Sequence, residues 1–409
     1  MQSRRDRAVL SGVVFAVLFA QVLLYPGIPE LVAALGATPA AWGGNVGAVL
    51  DAGKWFLTAE FLGFVLFASL WGALSDALGT RKPLIFFSAL GGGAGYLSLA
   101  LLGQFGSVPY DLILGIRFLQ GAATIGAFSL AITTLMDLEG GHGRNMGAAG
   151  LAIGGGTALG SPLGGQLYEL GPFVPLYGAA LALASAGVLV TFATDHTPST
   201  SGRDLRAILG SIRTRPAVTV PFAFGFIDRL TAGFFALVGT VYFQSTFDIE
   251  AAGTGILLGA FFFPFALLQY PMGRLSDRIG RLMPVAVGSI GYGVAIIGVF
   301  YAPTVGVARV AMVSVGVLGA LVSPATMALV TDLASPDQRG VAMGGFNVFG
   351  SLGFLTGIVG GATVAGGVSF RAAFLAVGLS EVAIALAMLP VLLWLDVPSA
   401  SVNLLDRGQ

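Results

Sequence analysis

Cysteine is absent from the 409 residues, which excludes disulfides, cysteine-held zinc or iron–sulfur centres and thiol catalysis. Only two histidines occur, His142 and His196. Both fall in predicted loops, so an intramembrane histidine relay is excluded. Charge is scarce as well: 10% of residues are charged, where a soluble chain carries about 25%. Lys+Arg and Asp+Glu both number 20, so there is no polyelectrolyte face and nucleic acid is excluded as a partner. No phosphate loop is present. Gly91-Gly-Gly-Ala-Gly95 and Gly154-Gly-Gly156 lack a following Lys-Ser/Thr and sit in apolar runs, where glycine is a packing surface. No cofactor and no metal site are expected, and work done by this chain would be driven by a gradient or run passively.

What is present is hydrocarbon. Hydrophobic residues make up 56% of the chain, and the mean hydropathy of +0.88 means that most of it never meets water. A helix needs about 20 apolar residues to cross a bilayer. Twelve segments qualify, at roughly 8–33, 54–75, 83–104, 110–136, 145–169, 172–194, 217–243, 252–273, 283–302, 304–331, 341–366 and 371–395. The first follows Arg4, Arg5 and Arg7 and is read as an uncleaved spanning helix, being too long for a secretory signal. The expected fold is therefore an all-α membrane protein of 12 transmembrane helices. The polar stretch 195–216 divides it into a six-helix bundle at 1–194 and another at 217–409. Fifteen Lys/Arg fall on the side that carries both termini, against Lys54, Arg309 and Arg371 on the other. The positive-inside rule then makes N- and C-termini cytoplasmic, in a multi-pass protein of the cell membrane.

The chain repeats itself. Gly72-Ala-Leu-Ser-Asp76-Ala-Leu-Gly79-Thr-Arg81-Lys82-Pro83 recurs 201 positions later as Gly273-Arg-Leu-Ser-Asp277-Arg-Ile-Gly280-Arg281-Leu-Met-Pro284. Gly156, Gly160 and Gly164 match Gly353, Gly357 and Gly361, each 197 residues on, while Asp137 and Arg144 match Asp332 and Arg339 at 195. A spacing of four puts the glycines on one helix face, where backbones approach closely and slide. Repeats of this size indicate a duplicated bundle.

These residues closely resemble the major facilitator superfamily along essentially the whole chain. Gly72-x-Leu74-x-Asp76-x-x-Gly79-x-Arg81-Lys82 is similar to its signature loop between helices 2 and 3, and Gly273–Arg281 to the equivalent between helices 8 and 9. Arg117-x-x-Gln120-Gly121 is similar to a helix 4 pattern of proton-coupled members. Gly156-x-x-x-Gly160-Ser161-Pro162-Leu-Gly164-Gly165 resembles the helix 5 motif of drug:proton antiporters, with Ser161 displacing the proline by one. Helix 1 carries Gln21 mid-span where many antiporters carry an acid, and Glu30 only near its outer end. The resemblance implies a latch: Asp76 against the positive N-terminus of helix 11, and Asp277 against that of helix 5 near Asn145. Arg81 and Lys82 would pair with Asp137, and Arg281 with Asp332.

Charges at bilayer depth need a reason. At 1.5 Å per residue, Glu60 lies about 9 Å and Arg117 about 10 Å below the outer boundary, so the two would interact or line a cavity together. A proton-coupling pair and a purely structural ion pair are both open. Asp228 and Arg229 lie near the midplane of helix 7 and point about 100° apart. Asp228, with Phe224, Thr231 and Phe235 on its face, suits a proton or a cationic substrate, or else forms a buried salt bridge. Glu381 in helix 12 would face lipid; it could be protonated there, pair with Arg371, or mark a protomer contact. Gln21, Gln120, Gln269 and Asn347 are the uncharged polar groups counted with the substrate or proton pathway, while Phe261–Phe265 packs or faces substrate. The expectation is a monomeric secondary transporter for a small organic molecule, by proton-coupled efflux. Uptake by symport and facilitated passage remain open, as does a membrane sensor. An enzyme is not expected, since the clustered acids, histidines or metal set it would carry at a membrane face are missing.

Overall fold

The structure is a computed structural model that describes residues 2–37, 45–105, 108–139, 142–195, 216–334 and 339–394. Among these residues there is no strand. α1 (Gln2–Val22) passes through a 3-10 turn at Tyr25–Gly27 into α2 (Ile28–Ala34). α3 (Val46–Leu78), α4 (Lys82–Gly103), α5 (Tyr110–Asp137), α6 (His142–Tyr168) and α7 (Val174–Val190) complete the first bundle. α8 (Thr219–Phe234) continues through a π-turn at Phe235–Gly239 into α9 (Thr240–Phe247). α10 (Ala251–Ile279), α11 (Leu282–Phe300), α12 (Val305–Leu333), α13 (Arg339–Gly367) and α14 (Phe370–Trp394) form the second bundle. Ten of the described helical segments are long and apolar enough to cross a membrane, counting α1 with α2 and α8 with α9 as one each. α6 and the shorter α7 lie where the fifth and sixth spans are predicted. The predicted linker lies outside the described residues except for Asp195 and Pro216.

Local chemistry sets the helix ends. The repeated hairpins stop α3 and α10 at Gly79 (φ 65°) and Gly280 (φ 88°), backbone angles that a side chain disfavours. Lys82-Pro83 then restarts the helix with proline in its first turn. Asn45 and Thr304 cap α3 and α12 by accepting from the amides of Ala48 and Val307. Pro26 and Pro29 remove amide donors where α1 gives way to α2.

The glycine faces make the close backbone approach that their spacing predicts. A methyl on Gly156 would come within 2.7 Å of the Phe15 carbonyl oxygen, and one on Gly160 within 3.0 Å of that of Phe19. Gly164 meets Leu23 in the same way. In the second bundle, Gly353 and Gly357 press on the Phe226 and Leu230 carbonyls of α8, and Gly361 on the ring of Phe234. These faces therefore bind α6 to α1 and α13 to α8 inside one bundle. The surfaces between bundles lie beside these seams.

Candidate functional site

Glu60 and Arg117 meet at the centre of the first bundle, both with fully buried side chains. Their helices come into backbone contact through Gly63 and Gly121. A methyl on Gly63 would approach the Phe118 carbonyl oxygen at 2.5 Å, and Gly121 faces the Glu60 backbone. That approach brings Arg117 Nη2 to donate to Glu60 Oε2 at 2.6 Å, while Nη1 donates to Gln120 Oε1 at 2.6 Å. Gln120 Nε2 donates in turn to Thr124 at 2.8 Å, and the Tyr96 hydroxyl to Glu60 Oε1 at 3.3 Å. The guanidinium stacks over the rings of Phe56 at 4.6 Å and Tyr96 at 5.1 Å, a desolvated cation–π arrangement. Arg117 Nε and Gln21 Nε2 are left without partners. Gln21 lies beside Glu60, so the pair, Gln120 and Gln21 form one cluster.

The polar residues of the second bundle separate. Arg229 donates to Asn347 at 3.0 Å and lies over the Phe346 ring at 5.7 Å, and a methyl on Gly350 would meet its Cδ at 2.6 Å. Asp228 makes no such bond among the described residues; it lies within electrostatic reach of Tyr292 and Glu381 as well as of Arg229. Glu381 does not face lipid, because its side chain is fully buried between α14 and α11. Gln269 is half-buried on α10, opposite Gly150 of α6 at 3.9 Å. Phe261 and Phe262 are buried core residues, whereas Phe263 is exposed.

The bundles touch along α6–α10 and α3–α13, tightly at one end only. A methyl on Gly165 would come within 2.5 Å of the Ala251 carbonyl oxygen, one on Gly259 within 2.6 Å of Pro162, and one on Gly154 within 2.7 Å of Ala266. Toward the repeated hairpins the seam thins, until Gly147 has nothing within 4 Å. Along α3–α13, Phe61 stacks on Phe354 at 4.4 Å, while Gly72 has no neighbour within 4 Å. At the closed end, carbonyls freed by the break in the first span accept from the other bundle. Thr240 Oγ1 donates to the Tyr25 carbonyl at 3.2 Å, and Gln244 Nε2 to that of Pro26 at 3.0 Å and to Glu30 at 2.8 Å. Ser161 adds a bond to the Gly255 carbonyl at 3.2 Å.

Two bundles closed at one end and parted at the hairpin end describe a gated passage, and the comparisons agree. The sequence model described as Major Facilitator Superfamily matches residues 10–242 and 222–408. The chain belongs to the Major Facilitator Superfamily. Among its relatives are the class G tetracycline resistance protein of Vibrio anguillarum, 26% identical over 72% of this chain and 76% of the relative. The class D tetracycline resistance protein of Salmonella ordonez is 28% identical over 72% and 74%. Solved structures of similar fold include the human organic anion transporter MFSD10 (TETRAN), with TM-score 0.69, 20% identity and coverage of 94% of this chain and 99% of that one. The nucleoside transporter NupG gives TM-score 0.71 at 14% identity, covering 96% and 99%. The protein is thus a multi-pass transporter of the cytoplasmic membrane with the major facilitator fold.

The superfamily's loop residues divide by bundle. Contacts within a bundle are made: Arg81 pairs with Asp137 at 2.5 Å, and Arg281 with Asp332 at 3.1 Å and Asp277 at 2.6 Å. Lys82 does not join Asp137; its Nζ donates to the Thr191 carbonyl at 2.6 Å. Contacts of these loop aspartates with the other bundle are not made among the described residues. Asp76 is exposed and has no hydrogen bond or ion pair among the described residues. Asp277 is spent on Arg281, and Asn145 is buried against Arg7 and the Leu138 carbonyl. Neither aspartate thus makes its expected closure on α13 or α6 among the described residues, at the end where Gly72 and Gly147 have no neighbour within 4 Å. The side chains of Arg339, Gly340 and Val341 lie outside the described residues.

The sequence reading passed over Asp195. Its carboxylate accepts from the Arg81 and Lys82 amides at 3.1 Å each and from the Thr80 hydroxyl, capping α4 from the far end of the bundle. Partial burial pushes this carboxyl up, but those three hydrogen bonds and the Lys82 charge outweigh it and hold it below the usual aspartate range. Tyr96, Phe56 and Gln244 were missed too. Each acts through a partner distant in sequence, which leaves no local pattern.

Proposed function

We propose that this protein exports a small organic molecule in exchange for protons, as a monomer in which the bundles 1–194 and 217–409 rock about the closed end. The observation that carries the reading is a fully buried Glu60–Arg117 pair whose Glu60 adjoins, on α3, the Phe61 that stacks on Phe354 of the other bundle. By the distribution of positive charge, the parted end is cytoplasmic and the closed end external. In this state substrate enters from the cytoplasm, between faces carrying Gln269, Arg229 and Asn347. Rocking the bundles the other way separates Phe61 from Phe354 and Gly53 from Leu237, which opens Glu60 to external protons. A proton on Glu60 cancels the charge that holds Arg117. The guanidinium is then held only by Gln120 and the rings, and is free to rearrange with its helix. An ion pair this deep is costly to leave half-made, so protonation and conformation are linked in free energy. The tetracycline resistance relatives favour efflux over uptake.

The test uses purified protein in liposomes. An imposed proton gradient drives exchange in the wild type, while Glu60→Gln retains substrate counterflow but loses gradient-driven accumulation. Undiminished accumulation by Glu60→Gln would refute the reading.

A further inference from the structure

Glu381 takes no part in the mechanism above, yet its side chain is fully buried and neither carboxyl oxygen has a hydrogen-bond partner. Glycine builds this burial. A methyl on Gly378 would reach 2.7 Å from the Gly293 carbonyl oxygen, and one on Gly293 3.0 Å from Glu381 Cβ, so α14 presses the acid onto α11. The polar groups facing it are unsatisfied too: Ser289 Oγ and the Tyr292 hydroxyl on α11 are buried without partners. From α8, Asp228 lies within electrostatic reach of both Glu381 and Tyr292, and Thr231 lies beside Tyr292. Among the described residues no ion pair reaches either acid; Arg229, bonded to Asn347 on α13, acts on Asp228 from a longer distance.

Arg229 offsets the charge of Asp228 but does not reach Glu381, so this acid and two free hydroxyls call for a small cation. A metal ion needs several oxygens converging on one point, and neither hydroxyl is bonded to the carboxyl. A proton needs only one oxygen. It removes the cost of an unpaired carboxylate in hydrocarbon and gives Glu381 a donor for Ser289 or Tyr292. We propose that Glu381 is a second proton-binding site, in the second bundle, which exchanges its proton with half-buried Asp228. The O–H bond breaks at Glu381 and forms at Asp228, and the negative charge moves the opposite way. This proposal rests on proton-coupled transport as read above. It predicts a proton carried in addition to the one at Glu60.

Infrared difference spectroscopy on the purified full chain reads the protonated carboxyl directly, without transport. At neutral pH, Glu381→Gln removes one protonated-carboxyl band that Glu60→Gln leaves in place, and Ser289→Ala shifts that band. Asp228→Asn, which removes the neighbouring like charge, makes the acid ionise more readily, so that its band is lost at lower pH. In liposomes, Glu381→Gln keeps coupled transport but lowers the protons moved per substrate about twofold. A band unchanged by Glu381→Gln, or one displaced by sodium, overturns the proton site. A proton count unchanged by Glu381→Gln, or a titration unmoved by Asp228→Asn, overturns the exchange. If no variant and not the wild type responds to a proton gradient, the coupled reading fails, while the band still decides whether Glu381 holds a proton.

Discussion

Arg117 has the guanidinium geometry that a buried ion pair needs. One nitrogen serves Glu60, another serves Gln120, and the flat cation lies between Phe56 and Tyr96. Lysine could neither fork nor stack in this way. Asp195 makes the opposite use of a charge, at the water-exposed end. It holds the first hairpin to the α4 N-terminus, where two amides and a helix dipole favour an anion. Because its folded value is depressed, the stability it contributes is fully present above the unfolded value of 3.8 and is lost as pH falls through the lower folded value. The difference in thermal stability between wild type and Asp195→Asn should thus be constant at neutral pH and vanish in acid. Thermal unfolding of both proteins across a pH series checks this. A gap that widens on acidification would contradict the assignment.

At the scale of helices, the informative contrast lies between the two sides of α6. Gly156, Gly160 and Gly164 clamp it to α1, while Gly154, Ser161, Pro162 and Gly165 meet α10 of the other bundle. Gly165→Ala should therefore overpack backbone against backbone at the closed end and destabilise this state by about 1–3 kcal/mol. Gly147→Ala, which faces open space, should stay within about 0.5 kcal/mol. Thermal unfolding and exchange rates measured side by side would show it, and equal effects of the two changes would contradict the seam described here. The same contrast marks how far the sequence could be read. The hairpins, the spans and the matched depths of Glu60 and Arg117 follow from local periodicity and a 1.5 Å rise. Which neighbour a glycine face meets does not, because both sides of α6 carry glycine at similar spacing. Glu381 was misplaced for a related reason: the contact between Gly293 and Gly378 turns a peripheral helix inward, and neither glycine signals it alone.

Across the whole molecule, the open hairpin end explains why Asp76 stands unpaired. Its expected partner, the positive N-terminus of α13, comes within reach only when the bundles close there. On the latch reading, Asp76 is expected to stabilise the state opposite to the one described, and its loss should favour the parted state. A carboxylate at a helix N-terminus contributes about 0.3–1 kcal/mol, so Asp76→Asn should raise the ratio of parted to closed protein roughly two- to fivefold. The absence of cysteine gives a clean reporter. A single cysteine at Gly147, which has no neighbour within 4 Å here, reacts with a maleimide when the bundles part and is shielded when they close. Adding Asp76→Asn should speed that reaction by the same factor where the wild type is mostly closed, and by less where it is already mostly parted. Asp277→Asn should have a smaller effect, because the Asp277 carboxylate is already engaged by Arg281 within its own bundle. Equal acceleration by the two substitutions would mean that the latch acts symmetrically and that the Arg281 pair breaks on closure.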